Sequence, residues 1–596
     1  MKHGLPQPEE LRGFIRRYRS AFITVVVLSA ILNVLVLGGS LYMMMVYDSV
    51  LPSHSIPTLA GLFIMLVMVY GFQGVFDNMR TRILGDVANA FDRALSRRVQ
   101  RAIADGALHG ARGAGDGLAP MRDLESVRSF LSGSGPSTLI DLPWMIFFIG
   151  VLSLLHIWLG VTALAGAVVL VGLTIATDRA SKEPMGRVAA LSAYRNAQAE
   201  SNLRHVEMLT ALGMRGRMDD RLQEMNSYHL ASHSRLAQVT GVFGGFSKIG
   251  RMLLQSAILT VGALLVIDGK ASGGVIFASS ILSARALAPV DQAIANWRAF
   301  AAARIGWARL STLLATVPAH VPPKVRLPKP EAELAVQQIL LAAPGSQSLI
   351  LQSVDFKLEA GDGVAIIGPS GCGKSSLARA MVGVWRPLRG SVRLDGASLT
   401  QWDGDALGQA IGYQPQLPSL LDGTIAQNIA RFEPDAPSEV VIAAAKAAGV
   451  HELIVAMPQG YESPVGLDGA NLSVGQQQRI ALARALFRDP FLVVLDEPNA
   501  NLDAEGDTAL EAAIAAVRAR GGIVAVISHR PSALAHVNKV LFLRNGIMEA
   551  FGLRDEVLQQ ITGRTRPTAF PQPRSTWQQP AAAPSAPAAN APENNS

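Results

Sequence analysis

Over the first half of the chain, long stretches without a charged side chain alternate with strongly polar ones. A helix needs about 20 apolar residues to cross a bilayer, and the stretch from Ala21 to Tyr47 holds no Asp, Glu, Lys or Arg. It is too long for the apolar core of a secretory signal and leads straight into a second such run, Ile56 to Phe76, so it reads as a retained first span. Between Leu142 and Thr177 charge is absent again, which suffices for two helices joined by a tight turn near His156-Ile157-Trp158. His156 and Trp158 then read as interfacial anchors rather than as ligands. Two weaker runs follow: Met252–Ile267, which is short, and Gly273–Ala284, which Arg285 interrupts. They make sense as spans partly buried in a bundle, with Asp268-Gly269-Lys270 as an outside turn. The expected total is six spans with both ends on the same side.

The polar stretches between these runs orient them. Residues 1–20 are polar and basic, and Arg80, Arg82, Arg93, Arg97, Arg98 and Arg101 crowd in after the second run. The link Asp48–Ser55 has no Lys or Arg, so the positive-inside rule puts it outside and the N-terminus inside. Residues 78–111 read as a polar helix leaving the membrane, 121–131 as a short amphipathic helix, and Asp178 to about Arg235 as mainly helical. The segments 121–131 and 205–215 are candidates for helices that dock on a cytoplasmic domain.

Past residue 317 the texture changes. Pro318, Pro322, Pro323, Pro328 and Pro330 mark a linker over 318–332. From 333 to 564 short β-type runs alternate with helical ones, as in an α/β nucleotide-binding domain. The end, 565–596, is rich in Pro, Ala, Gln and Asn and reads as a disordered tail. The expected division is therefore 1–20, 21–317, 318–332, 333–564 and 565–596.

Composition agrees. The 596 residues are only 17% charged, and the mean hydropathy is +0.27, unusual for a soluble enzyme. A net charge of +7 raises nucleic acid as a partner. Much of that excess, however, flanks the apolar runs, which suits a lipid bilayer and not nucleic acid. The one cysteine, Cys372, excludes disulfide frameworks, Cys-based zinc sites and a separate cysteine-nucleophile domain.

That cysteine lies inside Gly368-Pro369-Ser370-Gly371-Cys372-Gly373-Lys374-Ser375, a gapless match to G-x-x-x-x-G-K-[ST], with Ser376 continuing into the next element. The apolar run Val364–Ile367 before it reads as a buried strand and the segment after it as a helix. Glycines let backbone N–H groups face phosphate oxygens, Lys374 reaches the outer phosphates of ATP, and the Ser375 hydroxyl is a Mg2+ ligand. Downstream, Phe491–Leu495 reads as a strand ending in Asp496 and Glu497. Asp496 is placed to hold the Mg2+ shell and Glu497 to polarise an attacking water.

With Leu472-Ser473-Val474-Gly475-Gln476-Gln477-Gln478-Arg479 added, the chain resembles an ATP-binding cassette transporter. The resemblance implies that Gln416, after Pro415, is the Q-loop glutamine touching Mg2+ and the water, with Gln414 as its competitor. It implies that Ser473, Gly475 and Gln476 form the signature that meets the nucleotide from the opposite subunit. Asp503 would be the D-loop aspartate and His529 the switch histidine at the γ-phosphate. Three positions depart from the pattern. Val474 replaces a glycine, Ala343 stands where an adenine-stacking aromatic is usual, and Val465–Gly469 lacks a glutamate.

In the membrane half, Val46–Pro52, Asp141-Leu142-Pro143-Trp144, Ala211-Leu212-Gly213-Met214 and Arg285–Val290 are similar to type I secretion permease/ATPases, above all the protease-exporter branch. So is Asp496-Glu497-Pro498-Asn499. The implied fold is an α-helical six-span membrane domain of the type I exporter kind, fused to an α/β P-loop ATP-binding cassette. The implied function is ATP-driven export of an unfolded secreted protein across the bacterial inner membrane, by a homodimer with its cassettes and termini in the cytoplasm. A periplasmic membrane-fusion protein and an outer-membrane channel protein would be its partners. The competing readings are an exporter of lipid, drug or peptide, and an ATP-gated regulator that transports nothing.

Overall fold

The computed structural model describes residues 9–108, 110, 117–319, 327–528, 530 and 534–564. The chain divides into two compact units, one of N-terminal helices and one of C-terminal strands and helices.

In the first unit, α1 (Glu9–Arg17), α2 (Arg19–Leu35) and α3 (Leu37–Met45) run in succession, then a π-helical turn Val46–Val50 leads into the short α4 (Leu51–Ser53). Next come α5 (Ile56–Leu108), α6 (Ala119–Ser132), α7 (Gly135–Asp141), α8 (Trp144–Leu155) and α9 (Ile157–Arg204). The unit ends with α10 (Val206–Ala211), α11 (Arg215–Ile267), α12 (Gly273–Ala295) and α13 (Trp297–Thr316). Among the described residues, six stretches are long and apolar enough to cross a membrane: Arg19–Ser53, Ile56–Leu108, Gly135–Leu155, Ile157–Arg204, Arg215–Ile267 and Gly273–Ala295. At 1.5 Å per residue the 53-residue α5 is about 80 Å long, so its polar half extends well past a hydrocarbon layer of about 30 Å.

The expected turn at His156 is present, its extended backbone (φ −164°, ψ 137°) separating α8 from α9. Arg285 does not interrupt the last span, since α12 continues to Ala295. The stretch Asp48–Ser55, expected as a plain link, is mostly helical, and the chain reverses at His54, which has φ 53°. The reason is a cap. Asp48 accepts hydrogen bonds from Ser272 Oγ (2.6 Å) and from the Gly274 N–H (2.8 Å), and so satisfies donors at the N-terminus of α12. Residues 9–17, expected only as part of a polar, basic segment, likewise pack against the helices that follow. In α1, Leu11 and Phe14 are buried, with Phe14 edge-on to Phe91 at 5.3 Å and Phe91 stacked on Trp307 at 6.0 Å.

The spans are also joined by a polar cluster near one end. Arg80 of α5 donates to Asp141 (2.9 Å), Ser29 (3.0 Å) and Asp77 (2.8 Å), while Asn33 of α2 donates to Asp141 (3.0 Å). Charges in such surroundings persist only when paired.

Among the described residues, the second unit has two sheets. A four-stranded antiparallel one has the order β2-β1-β4-β5, from β1 (Glu333–Ala342), β2 (Leu349–Glu359), β4 (Arg389–Leu394) and β5 (Ala397–Ser398). The other has the order β10-β9-β3-β8-β7-β6, from β3 (Gly363–Ile367), β6 (Ile411–Gln414), β7 (Leu492–Asp496), β8 (Ile523–Ile527), β9 (Lys539–Arg544) and β10 (Ile547–Leu553). Its strands β9, β3, β8, β7 and β6 are parallel, and every residue of β7 and β8 is buried, as in a sheet covered on both faces. The helices around the sheets are α14 (Lys374–Met381), α15 (Gly404–Ala410), α16 (Ile425–Ile429), α17 (Ser438–Ala447), α18 (His451–Val455), α19 (Val474–Leu486), α20 (Ala504–Ala519) and α21 (Arg554–Arg564).

Candidate nucleotide site

Ligands of open parallel sheets bind beyond the carboxyl ends of the strands, and there β3 runs into the glycine loop. Gly368 (φ 152°) and Gly373 (φ 105°) have backbone angles that side chains rarely adopt. A Cβ at Gly368 would stand 2.1 Å from the Leu543 carbonyl oxygen, and one at Gly373 would stand 2.6 Å from Leu351. Glycine is therefore required at both positions, and the loop curls tightly onto the start of α14. Cys372 is buried under the loop, a small filler facing Gly368. Lys374 and Ser376 are buried as well. The Lys374 ammonium donates to the carbonyls of Gly368 (2.9 Å) and Pro369 (3.0 Å), so it lies across the loop that also holds Ser370 and Gly371.

In the first turn of α14, Ser375 Oγ donates to Oδ1 of Asp496, the last residue of β7, at 3.2 Å. Among the described residues, the other oxygen of Asp496, Oδ2, is buried without a hydrogen-bond partner. Burial pushes the Asp496 carboxyl above its ordinary range, with the neighbouring Glu497 adding to the shift and Ser375 opposing it. A buried carboxylate with an orphaned oxygen, beside a serine hydroxyl, is the donor set a divalent cation relieves. The residues present fit Mg2+.

Glu497 follows β7 with a left-handed backbone (φ 50°). Its N–H donates to the Ile527 carbonyl (2.9 Å), and its carboxylate accepts from Gln416 Nε2 (2.9 Å). The structure thereby separates the two glutamines. Gln416 reaches Glu497, whereas Gln414 is buried and turned beneath α19, 3.4 Å from the Gln478 carbonyl. His529 lies outside the described residues. Next to it, Ser528 is buried and donates to Asn499 (3.3 Å).

Ser473 is the N-cap of α19, with a reciprocal pair: Gln476 N–H to Ser473 Oγ at 3.3 Å and Ser473 N–H to Gln476 Oε1 at 2.9 Å. The Gln476 side chain is thus turned back onto the cap. Gly475 passes close to the Asn501 carbonyl, where a Cβ would meet it at 3.1 Å. Val474 is the first residue of α19 and 53% exposed, so the helix itself needs no glycine there. Asp503 caps α20 through the Gly506 N–H (2.9 Å) and pairs with Arg479. The Gly506 contact first, and Arg479 with it, hold its carboxyl below the ordinary range. Among the described residues no hydrogen bond joins Ser473, Gly475 or Gln476 to the glycine loop of the same chain.

One residue at this site escaped the sequence reading. Gln478 of α19 donates to the carbonyls of Glu497 (3.2 Å) and Pro498, and accepts from the Asn501 N–H (3.1 Å). It ties the signature helix to the turn that carries Glu497. The sequence singled out Gln476 from the run of three glutamines and left Gln478 without a role.

Comparison with known proteins decides the family. A profile described as ABC transporter matches residues 351–500, and one described as ABC transporter transmembrane region matches residues 22–290. The type I secretion system ATP-binding protein PrsD of Rhizobium meliloti (strain 1021) is 49% identical over 547 residues, covering 92% of this chain and 94% of PrsD. This chain belongs to the type I secretion ABC transporters. The leukotoxin translocation ATP-binding protein LktB of Mannheimia haemolytica is similar at 28% identity over 553 residues, 92% of this chain and 77% of LktB. In fold, the exporter resembles a bacterial Atm1-family ABC exporter solved with ATP bound, with a TM-score of 0.76 at 23% identity over 93% of this chain and 99% of that one. As a type I secretion exporter it is a multi-pass membrane protein whose cassette is an ATPase domain.

Proposed function

We propose that this exporter hydrolyses ATP at two composite sites of a homodimer, and with that energy moves an unfolded secreted polypeptide out of the cytoplasm. The observation that carries the reading is the 49% identity to a type I secretion protein across both the membrane unit and the cassette. The site geometry supports the chemistry. The loop Gly368–Ser376 cradles the phosphates and Lys374 swings from its carbonyls to the outer phosphates. Ser375, Asp496 and Gln416 hold Mg2+, which when bound neutralises phosphate charge.

Glu497 orients a water on the γ-phosphorus and takes its proton. The water oxygen bonds to phosphorus as the bond to the β–γ bridging oxygen breaks, leaving ADP and phosphate. Gln416 fixes the Glu497 carboxylate, and His529 takes the γ-phosphate role that its motif match to the switch histidine implies. Ser473 and Gly475 come from the second copy, in keeping with the lack, among the described residues, of a hydrogen bond to their own loop; Gln476 holds Ser473 in its capping pose, and Asp503 holds Arg479 beside the D-loop. ATP then bridges two cassettes, hydrolysis removes the bridge, and the spans shift between two packings. The segments 121–131, which lies within α6, and 205–215, which contains α10, pass that motion to the spans.

The cassettes and both termini face the cytoplasm of a bacterial inner membrane, and export proceeds through a periplasmic membrane-fusion protein and an outer-membrane channel protein. The test is deletion of the gene, with loss of a specific polypeptide from the medium and rescue by the wild type but not by Glu497→Gln. Unchanged secretion in the deletion strain would contradict the reading.

A further inference from the structure

The joint between the signature helix and the Q-loop is built on two arginines whose roles the hydrolysis chemistry leaves open. Arg431, just past α16, spreads its guanidinium over backbone carbonyls of three elements. Nε donates to Arg484 (2.9 Å), Nη2 to Ala485 (3.1 Å), and Nη1 to Ile411 (3.1 Å) and to Gly408. Arg484 and Ala485 are the last turn of α19, whose first turn is the signature. Ile411 opens β6, the strand that delivers Gln416. Arg484 makes the matching bond on the far side of Gln416, donating Nη1 to the Ser419 carbonyl at 2.9 Å. Both ends of the segment carrying Gln416 are therefore fastened to α19.

The joint is held against its own preferences. Arg431 and Phe432 are consecutive non-glycine residues with φ of 55° and 56°, and Arg488 and Asp489 follow α19 with φ of 62° and 50°. L-residues take such angles only at a cost, and paired instances need surroundings that enforce them. The two turns are clipped together by a bidentate ion pair, Arg488 to Glu433 at 2.8 and 2.7 Å. Burial first, and the nearby Arg484 charge second, push the Arg431 guanidinium down to about 10. Carbonyl dipoles at the C-terminal end of α19 offset that cost.

We propose that Arg431 and Arg484 form a brace that makes the position of Gln416 follow the position of the signature helix, so that both are positioning residues for hydrolysis. The inference rests on Gln416 acting at the ATP site. When α19 moves to meet the partner's nucleotide, the brace carries β6 and the following loop with it and sets Gln416 against Glu497.

The test uses the full-length exporter in lipid nanodiscs, comparing wild type with Arg431→Lys, Arg484→Lys, Gln416→Ala and the double variant Arg431→Lys/Gln416→Ala. Lysine keeps the charge but cannot fork over several carbonyls. The expected result is a kcat about tenfold lower in each lysine variant, with KM for ATP within about twofold of wild type. The double variant should be no slower than Gln416→Ala alone, because both changes act through one glutamine. Should Arg431→Lys unfold below the assay temperature, Arg484→Lys with its own Gln416→Ala double decides. Wild-type kcat in the lysine variants, or losses that multiply in the double, overturn the brace. Wild-type turnover of Gln416→Ala overturns the role of Gln416 and the proposal with it.

Discussion

The two halves of this exporter solve the burial problem in opposite ways. In the membrane unit the apolar windows of the spans are 6% to 50% buried, and residues such as Phe63, Ile64 and Val168 lie open on the surface. The polar groups Ser29, Asn33, Arg80 and Asp141 instead bond to one another between helices. In the cassette the apolar strands β7 and β8 are wholly enclosed, and the polar groups of the site gather at the ends of the strands. The contrast follows from the solvent. Lipid covers apolar surface at no cost and leaves polar groups nowhere to go but inward, whereas water drives apolar side chains into a core. In the one unit buried polarity fastens helices, and in the other it performs chemistry.

That contrast orders the expected effects. The largest belongs to chemistry: Glu497→Gln should lower ATP turnover by about a thousandfold, measured as phosphate release, while the protein still binds ATP. A loss of binding in step with the loss of turnover would point to damage of the pocket. Next comes the membrane cluster. Arg80→Ala leaves Asp141 without its cation and should cost about 3 kcal/mol, read as a lower unfolding temperature in detergent. Changing both partners, Arg80→Met with Asp141→Leu, should recover most of that loss. If the double is as unstable as the single, the cluster is not a fastening of spans.

A smaller effect is expected at Asp362 in the cassette. Burial works against its charge, but Lys539 (2.6 Å), the Glu359 N–H (2.8 Å) and Asn538 (2.8 Å) outweigh it and hold the carboxyl below the ordinary range. A depressed folded value means that this stability is complete above the unfolded value, about pH 4, and is lost as pH falls through the folded value. Asp362→Asn should flatten that acid-side loss, and acid unfolding of the two proteins measures it. The smallest effect is at Val474. Its side chain is exposed and its backbone helical, so Val474→Gly should leave thermal stability within about 1 kcal/mol and alter only the ATP dependence of turnover.

How much of this was legible in the sequence depended on range. The spans could be read because uncharged runs are local, and so could the glycine loop, because its spacing is fixed within eight positions. What depends on distant partners could not. The cap that Asp48 places on α12 joins residues more than two hundred positions apart, and Arg80 meets Asp141 across two helices. Leu11 and Phe14, two apolar residues in a polar, basic segment, gave no sign of burial until Phe91 and Trp307 supplied the surface they cover. At the site, the proline between Gln414 and Gln416 favoured the second, but only the fold turns Gln414 beneath α19 and Gln416 toward Glu497.

The central claim is that the cassette hydrolyses ATP in order to move a polypeptide through the membrane unit. The most direct measurement reconstitutes the exporter with the proposed membrane-fusion and outer-membrane partners and follows release of a secreted polypeptide together with phosphate. The account predicts that wild type releases both, and that Glu497→Gln releases neither while cargo stays on the cytoplasmic side. Cargo release by Glu497→Gln at the wild-type rate, or phosphate release by wild type that cargo and partners leave unchanged with no cargo crossing, would contradict it.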